Sequence, residues 1–427
     1  MSLLHDLINA GKKQELIDIL RDSQPEEMAS VINAPFGEKE QTPLHAAVLA
    51  GWPDAIPVLV RAGADMAKKN FYEETPLYTA IEAGSFDSAA ALLQSGATAN
   101  TRRLDDGITA LQTAIEKKDA KLIQLLLDYG ADAGVKTPPD EHGLNAFHYA
   151  AKTDTAIMSV LLKSDSAAAV HALGRDGKKD VSALRIALGR SDRDMVKQLL
   201  DYGVDVNERD DNGETPLFYL LGHRDTREET LPLIRLLLQR GADLDKARNF
   251  WDETPLFPAV RESFTEAASL LLSLGLDAKQ KSHIDETPLH LAAEKWDVKI
   301  VSDLIAHGAD IEAQDRTKRT PLHIAAHYNR PKVVEALLEA GANPFAKDKS
   351  GKTPRELALA PFQQNVRKLL TRKEQEIEIK REGYNNWWRR KATEDEAPAV
   401  THNPPIRSGR FQPRGKNHSS KHFGNRR

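Results

Sequence analysis

Cysteine is absent from all 427 residues. That removes disulfides, thiolate nucleophiles and cysteine-ligated zinc, and it fits a reducing, cytoplasmic setting. No run of 18 apolar residues occurs, so no segment reads as a membrane-spanning helix. The opening MSLLHDLINAGKK has no basic start followed by a long apolar stretch, and no secretory signal is read there. A Gly-rich phosphate loop, a Gly-x-Ser-x-Gly elbow and a kinase-like set are all missing, so no enzymatic activity and no cofactor are expected.

What is present is a repeat. Thr42-Pro43-Leu44-His45 returns, intact or drifted, at Thr75, Thr109, Asn145, Ser182, Thr215, Thr254, Thr287, Thr320 and Thr353. The spacings are 33, 34, 36, 37, 33, 39, 33, 33 and 33 residues. A fixed period in this range marks a solenoid. The Thr suits a helix N-cap, because its hydroxyl can accept from a free amide of the first turn. Pro suits the first helical position, where its missing N–H is not needed. A short first helix with small residues follows, as in Ala46-Ala47, Ala292-Ala293 and Ala325-Ala326. A second, rich in Leu and Val, covers stretches such as Ile56 to Val60, Leu122 to Leu127 and Val333 to Leu338. It stops at a Gly suited to positive φ, as in Gly63-Ala64-Asp65, Gly130-Ala131-Asp132 and Gly308-Ala309-Asp310. About ten polar residues then lead to the next Thr, enough for a turn or a β-hairpin finger.

This pattern resembles the ankyrin repeat, whose signature Thr-Pro-Leu-His-x-Ala stands intact at Thr42. The resemblance implies an all-α ankyrin-repeat solenoid with short β-hairpin fingers. It divides the chain into N-terminal capping helices (1–34), a repeat array (35–370), a helical extension (371–392) and a disordered basic tail (393–427). It also implies a monomeric, non-enzymatic scaffold or adaptor that binds partner proteins through its fingers and concave face. The block from Asn145 to Asp180 lacks the Gly-Ala-Asp stop and reads as a drifted repeat with an irregular loop, or as a hinge. Around Gly222 to Thr230 six residues are added to the period, and a loop is expected there.

Two fingers depart from the usual Asp210-Asp211-Asn212-Gly213 form. They read Asn70-Phe71-Tyr72-Glu73-Glu74 and Asn249-Phe250-Trp251-Asp252-Glu253; a weaker third is His283-Ile284-Asp285-Glu286. Phe71, Tyr72, Phe250, Trp251 and Ile284 are therefore protein-binding candidates, either exposed to a partner or packed on the adjacent finger. Family geometry adds Trp52, Phe264, Trp296 and Tyr328, at positions near the concave surface. His45, His148, His290 and His323 stand at the motif position, where the family's histidine is structural. His323 and His327 are spaced i, i+4 as in zinc helices, but Ile324 replaces the expected Glu, so no metal site is expected.

The net charge of −4 conceals an asymmetry. Residues 371–427 hold 14 Lys+Arg and 7 Asp+Glu, net +7; from totals of 59 and 63, residues 1–370 keep 45 and 56, net −11. In the tail, Trp387, Trp388, Arg389, Arg390, Arg410 and Arg414 are binding candidates. The tail reads as a solubilising extension, a nucleic-acid-binding segment, or a sorting or export signal. The export reading would make the protein an effector of an intracellular bacterium, acting in the host cytosol or nucleus. RNA binding through the tail predicts an affinity that falls steeply as salt rises. A flat salt dependence in fluorescence anisotropy would dismiss that reading.

Overall fold

The computed structural model describes residues 3–23, 28, 30–103, 105–138, 142–176, 179–222, 227–244, 248–360 and 363–394. It divides into two compact units, Met1–Lys373 and Glu374–Arg427.

In the first unit, pairs of antiparallel helices stand side by side. The inner helices run from Pro43–Leu49 through Pro76–Glu82, Ala110–Glu116, Ala146–Thr153, Ala183–Gly189, Pro216–Gly222, Leu256–Arg261, Pro288–Glu294 and Pro321–His327 to Pro354–Leu357. Each packs on the next along the whole row. Small side chains make that approach close: Ala47, Ala80, Ala114, Ala150, Ala187, Ala259, Ala292 and Ala325 are all buried. Outer helices such as Phe86–Gln94, Ala120–Asp128 and Pro331–Glu339 bury their Leu and Val faces. The result is one continuous all-α solenoid core. Helices Leu3–Asn9 and Lys13–Asp22 lack a Thr-Pro start. They bury Leu4, Leu7, Ile8, Leu16, Ile17 and Leu20 against the first repeat's two helices.

Local chemistry explains the ends of each helix. The Thr42 hydroxyl accepts from the His45 amide at 3.4 Å, and Thr109 accepts from Gln112 at 3.2 Å. Asp119, Asp154, Asp192 and Asp297 cap outer helices in the same way. At Gly63, φ is 97° and the Ala64 amide reaches back to the Leu59 carbonyl at 3.0 Å, closing the exposed helix end.

The motif histidine joins neighbouring repeats. His45 Nε2 donates to the Glu74 carbonyl at 2.9 Å, His290 to Arg319 at 2.9 Å, and His323 to Lys352 at 3.1 Å. In every case the accepting residue immediately precedes the next repeat's capping Thr. A carbonyl only accepts, so Nε2 carries the proton and Nδ1 is left to accept from Thr42, Thr287 or Thr320. In the third repeat Gln112 replaces the histidine: its Oε1 accepts from the Thr109 amide at 2.8 Å and its Nε2 donates to the Leu144 carbonyl at 2.9 Å. A second set of joints is made by Asn33, Asn100 and Asn207. Asn33 donates to the Gly63 carbonyl at 3.0 Å and accepts from the Asp65 amide at 2.7 Å.

The drifted fourth repeat keeps the stack continuous. Its inner helix packs on both neighbours. The missing Gly stop is replaced by a 3-10 turn, Ala167–His171, which buries Val170 and Ala167. A ladder follows, Gly174–Asp176 antiparallel to Lys179–Val181. Elsewhere the expected hairpins are largely absent: among the described residues only the isolated bridges Phe36 to Gln41 and Arg102 to Thr109 lie outside that ladder. The fingers are tight turns instead, because one Asn or Asp side chain at the base holds two amides and leaves no ladder to form. The insertion after Gly222 also differs from a simple loop. Residues 223–226 lie outside the described set, but Arg227–Gln239 is an outer helix of 13 residues.

A helix, Gln364–Glu394, closes the described chain. Within the first unit its Val366 and Leu370 are buried, and the preceding Gln363 donates to the His327 carbonyl at 2.7 Å. In the second unit Ile379 and Tyr384 are exposed. Residues 395–427, expected to be a disordered tail, lie outside the described residues.

Burial holds His45 and His148 at about 4, well below the ordinary 6.5, and also lowers His290 and His323. The unfolded chain therefore takes up protons before the folded one does. Stability is complete above about pH 6.5 and is lost as pH falls towards 4, by roughly 3 kcal/mol for each of His45 and His148. Gln112 shows how to test this. His45→Gln should retain neutral-pH stability and make the acid loss shallower, whereas His45→Ala should cost about 1–3 kcal/mol at pH 7.5. Urea unfolding midpoints at pH 7.5 and 5 check it, and identical acid loss in wild type and His45→Gln would contradict it.

Candidate functional site

The two aromatic fingers have one construction. In the first, Asn70 Oδ1 accepts from the Tyr72 amide at 2.9 Å and the Glu74 amide at 3.0 Å, and its Nδ2 donates to the Glu74 carboxylate at 3.3 Å. In the second, Asn249 Oδ1 accepts from Trp251 at 3.0 Å and Glu253 at 3.1 Å, and Nδ2 donates to Glu253 at 2.9 Å. The Glu fastens each finger to its own inner helix, Glu74 by accepting from Thr79 at 3.4 Å and Glu253 by pairing with Arg261. Each tip turns through a left-handed residue, Glu73 or Asp252, both at φ 58°. Gly213 has that place in the ordinary finger; a side chain there costs about 1–2 kcal/mol.

These turns hold their aromatics in solvent. Phe71 is 62% exposed, Tyr72 50%, Phe250 73% and Trp251 50%. Phe71 and Tyr72 meet edge to face at 5.6 Å, and the Lys39 ammonium lies 5.9 Å from the Tyr72 ring. Fingers are also linked in series. Phe71 donates its amide to the Lys39 carbonyl at 2.9 Å, Phe250 to Asn212 at 3.3 Å, His283 to Trp251 at 3.0 Å and Arg316 to Ile284 at 3.3 Å. Ile284 is the third exposed apolar tip. Beside the aromatics stand exposed ion pairs, Lys69 with Glu73 at 3.3 Å and Arg248 with Asp252 at 2.8 Å.

A second group lies at the opposite ends of the inner helices, in the turns that lead to the outer helices. Trp296 is 70% exposed, with the Arg330 guanidinium 4.4 Å from its ring. Arg330 also donates to the Glu294 carbonyl at 2.5 Å. Equivalent turns place Gly51, Gly84, Ser191, Ser263 and Asn329 at positive φ. Trp296 occupies that slot in the eighth repeat, the chain runs extended at Lys295, and the indole projects outward. Trp296 then lines an open groove of about 850 Å³ with Ser263, Asp297, Lys332 and Glu335. Tyr328 is exposed in the next turn, edge to face with His327 at 5.1 Å.

Two candidates are corrected. Phe264 is only 5% exposed and belongs to the core, because it begins an outer helix with its ring turned inward. Trp52 is half-buried and packed on the core at the start of a 3-10 turn. Of the tail candidates, Arg410 and Arg414 lie outside the described residues. Trp387, Trp388, Arg389 and Arg390 fall on the final helix, with side chains outside the described set. His323 is already committed, its two ring nitrogens held by Thr320 and Lys352.

Residue-by-residue reading missed a buried polar joint in the fifth and sixth repeats. Arg185 stands in the histidine slot, pairs with Asp210 at 2.5 Å and lies 4.4 Å from the Tyr219 ring. Ser182 donates to Glu208, whose carboxyl burial pushes up to about 7. The loss of Pro and His at Ser182-Ala183-Leu184-Arg185 was the available signal. On the inner-helix side, Glu82 pairs with Lys117 at 2.6 Å and approaches Arg103 at 3.8 Å.

Models of the family described as "Ankyrin repeats (3 copies)" match residues 4–103, 98–173, 184–282 and 223–315; "Ankyrin repeats (many copies)" matches 304–358. Among curated proteins the chain is similar to the "Nuclear factor NF-kappa-B p105 subunit" of Gallus gallus, 32% identical over 172 residues, 40% of this chain and 16% of that protein. It is similar to the "B-cell lymphoma 3 protein homolog" of Mus musculus, 29% identical over 220 residues, 51% of this chain and 40% of the relative. The "Putative ankyrin repeat protein FPV228" of fowlpox virus is 31% identical over 99 residues, 20% of this chain and 19% of that protein. The chain thus spans less than half the length of each.

Exposure separates the two kinds of aromatic in a measurable way. Trp296→Ala should lower stability by about 1 kcal/mol or less, the value of an exposed cation–π contact. Phe264→Ala should cost about 3–5 kcal/mol through the cavity it leaves. Urea unfolding of both variants checks this; equal losses would refute the assignment.

Proposed function

The chain belongs to the ankyrin-repeat family, and on that premise we propose that it is a non-enzymatic adaptor whose aromatic fingers engage partner proteins. Ankyrin repeats indicate protein–protein interaction. The observation that carries the finer reading is the pair of finger tips. Each holds two aromatic rings in water on a turn fixed by an Asn–Glu clasp, with a left-handed non-Gly residue at its apex. Rings exposed in this way gain nothing from the chain's own core. Aromatic anchors on rigid supports are what protein interfaces use, because little entropy remains to be lost on binding.

Catalysis has no part in this reading. The motif histidines at 45, 290 and 323 have both ring nitrogens engaged, Nδ1 at their own helix cap and Nε2 in joining repeats, and the recurrent Asp and Asn side chains are held as helix caps and turn clasps.

The double variant Phe250→Ala/Trp251→Ala should keep the helical circular dichroism of the wild type, since neither ring is buried. It should lose the proteins that the full-length chain retains from cell lysate. Unchanged retention of every such protein would remove the fingers from the binding surface.

A further inference from the structure

The second and seventh repeats can be compared position by position at an offset of 179 residues. Their buried positions agree, as packing requires: Leu77 with Leu256, Ala80 with Ala259, Leu92 with Leu271, Leu93 with Leu272 and Ala99 with Ala278. Their exposed positions agree less often: Gln94 faces Ser273, Thr98 faces Asp277 and Asn100 faces Lys279, although Asp87 with Glu266 and Arg102 with Lys281 keep their charge. At the finger tips three successive exposed positions agree, two of them aromatic, in Phe71 with Phe250, Tyr72 with Trp251 and Glu73 with Asp252. Packing cannot account for agreement between side chains that touch solvent.

Part of the geometry is the general finger framework, since Asp210 and Asp315 also clasp two amides and Lys318 also sits at φ 58°. The two aromatic fingers add the Asn–Glu bond to it. Both clasps use Asn through the same three hydrogen bonds, and both apices sit at φ 58°. A cation in each case pairs with the apex acid from four residues before it. Both first tip residues donate their amides to the preceding finger. The fingers between them differ: one carries Asp210-Asp211-Asn212-Gly213 with no aromatic, and the fourth repeat is entered through Gly143-Leu144.

We propose that the two fingers are duplicate recognition elements, and that the partner is a protein carrying the same apolar, basic-flanked segment twice. The inference rests on the finger-binding reading above and adds valency and chemistry to it. The apolar part of the segment follows from the paired rings. Its basic flank follows from charge: residues 1–370 carry a net −11, and the apex pairs Lys69–Glu73 and Arg248–Asp252 are exposed, so their acids can exchange one cation for another at little cost. Two equivalent contacts on one rigid row make the second binding step intramolecular.

Random peptides displayed on phage are the probe. Selection is made on full-length Phe71→Ala/Tyr72→Ala, which keeps only the second finger, after depletion on the variant lacking all four aromatics. Selected peptides are then synthesised and titrated calorimetrically into the wild type and into Phe250→Ala/Trp251→Ala. Expected are peptides rich in apolar residues and in Lys and Arg over Asp and Glu. They should bind the two single-finger variants within about tenfold of one another, with two bound per wild-type chain. A tandem copy on a flexible linker should bind wild type on the order of 100-fold more tightly than either variant. Peptides that recognise the second finger and fail on the first overturn the duplication while leaving finger binding intact. Acid-rich peptides overturn the charge assignment. Recovery of no finger-dependent peptide overturns both the inference and the reading beneath it.

Discussion

A carbonyl at the junction between repeats ties the architecture together. It belongs to the residue before a capping Thr, Asn or Ser, at Glu74, Leu144, Val181, Arg319 and Lys352, and it accepts from the preceding repeat's motif side chain. Four of these carbonyls already accept an amide of their own finger, Glu74 from Asn70, Leu144 from Thr137, Arg319 from Asp315 and Lys352 from Asp348. The preceding repeat's side chain fills the second acceptor position of the oxygen. His45, His148, His290 and His323 do so, and Gln112 does it as an amide. The second, sixth and seventh repeats hold Tyr78, Phe218 and Phe257 in that slot and make no such joint. Because the joining side chain also accepts from its own N-cap amide, local capping and inter-repeat registry are one network. Caps, spacing and stacking cannot drift independently.

That coupling explains what was legible in the sequence. Thr-Pro-Leu-His reports cap, helix start, core contact and joint in four residues, so ten occurrences placed nearly every inner helix. Where the motif decays, the physics is carried by other residues and legibility falls with it. Arg185 in the histidine slot forms an ion pair with Asp210, and nothing local in the sequence identifies that acid among its neighbours Asp205 and Asp211. The fourth repeat lost its Gly stop and regained closure through Val170 in a 3-10 turn, a tertiary solution without a local signature. The fingers were read as turns or β-hairpins, and the turn form prevails in most of them, held by a single Asn or Asp that captures two amides.

Surface candidates were less legible than core ones, for a geometric reason. Phe264 and Trp296 stand one residue apart in register, either side of the same turn, at Phe264 after Ser263 and at Trp296 in the slot that Ser263 occupies one repeat earlier. In the seventh repeat Ser263 adopts φ 52° and the chain then turns Phe264 into the core. In the eighth the slot holds a Trp, the preceding Lys295 is extended, and the ring leaves the core altogether. An aromatic in a helix turn is thus buried or exposed according to which side of the turn its register places it, which hydrophobicity does not encode.

The rigid joints and the exposed tips follow from the same economy of structure. A solenoid repeat contacts only its neighbours, so its surface side chains can change without disturbing distant packing. Selection on the surface is then free of the core, and any exposed feature that recurs in detail requires a cause outside the core. The Asn–Glu clasp fixes the tip before any partner arrives, which reduces the ordering cost of association. Serial amide-to-carbonyl links between fingers extend that fixation from one tip to the next. On the proposed reading a partner meets aromatic anchors whose positions are determined by the repeat spacing, and that spacing is in turn held by the joints between repeats.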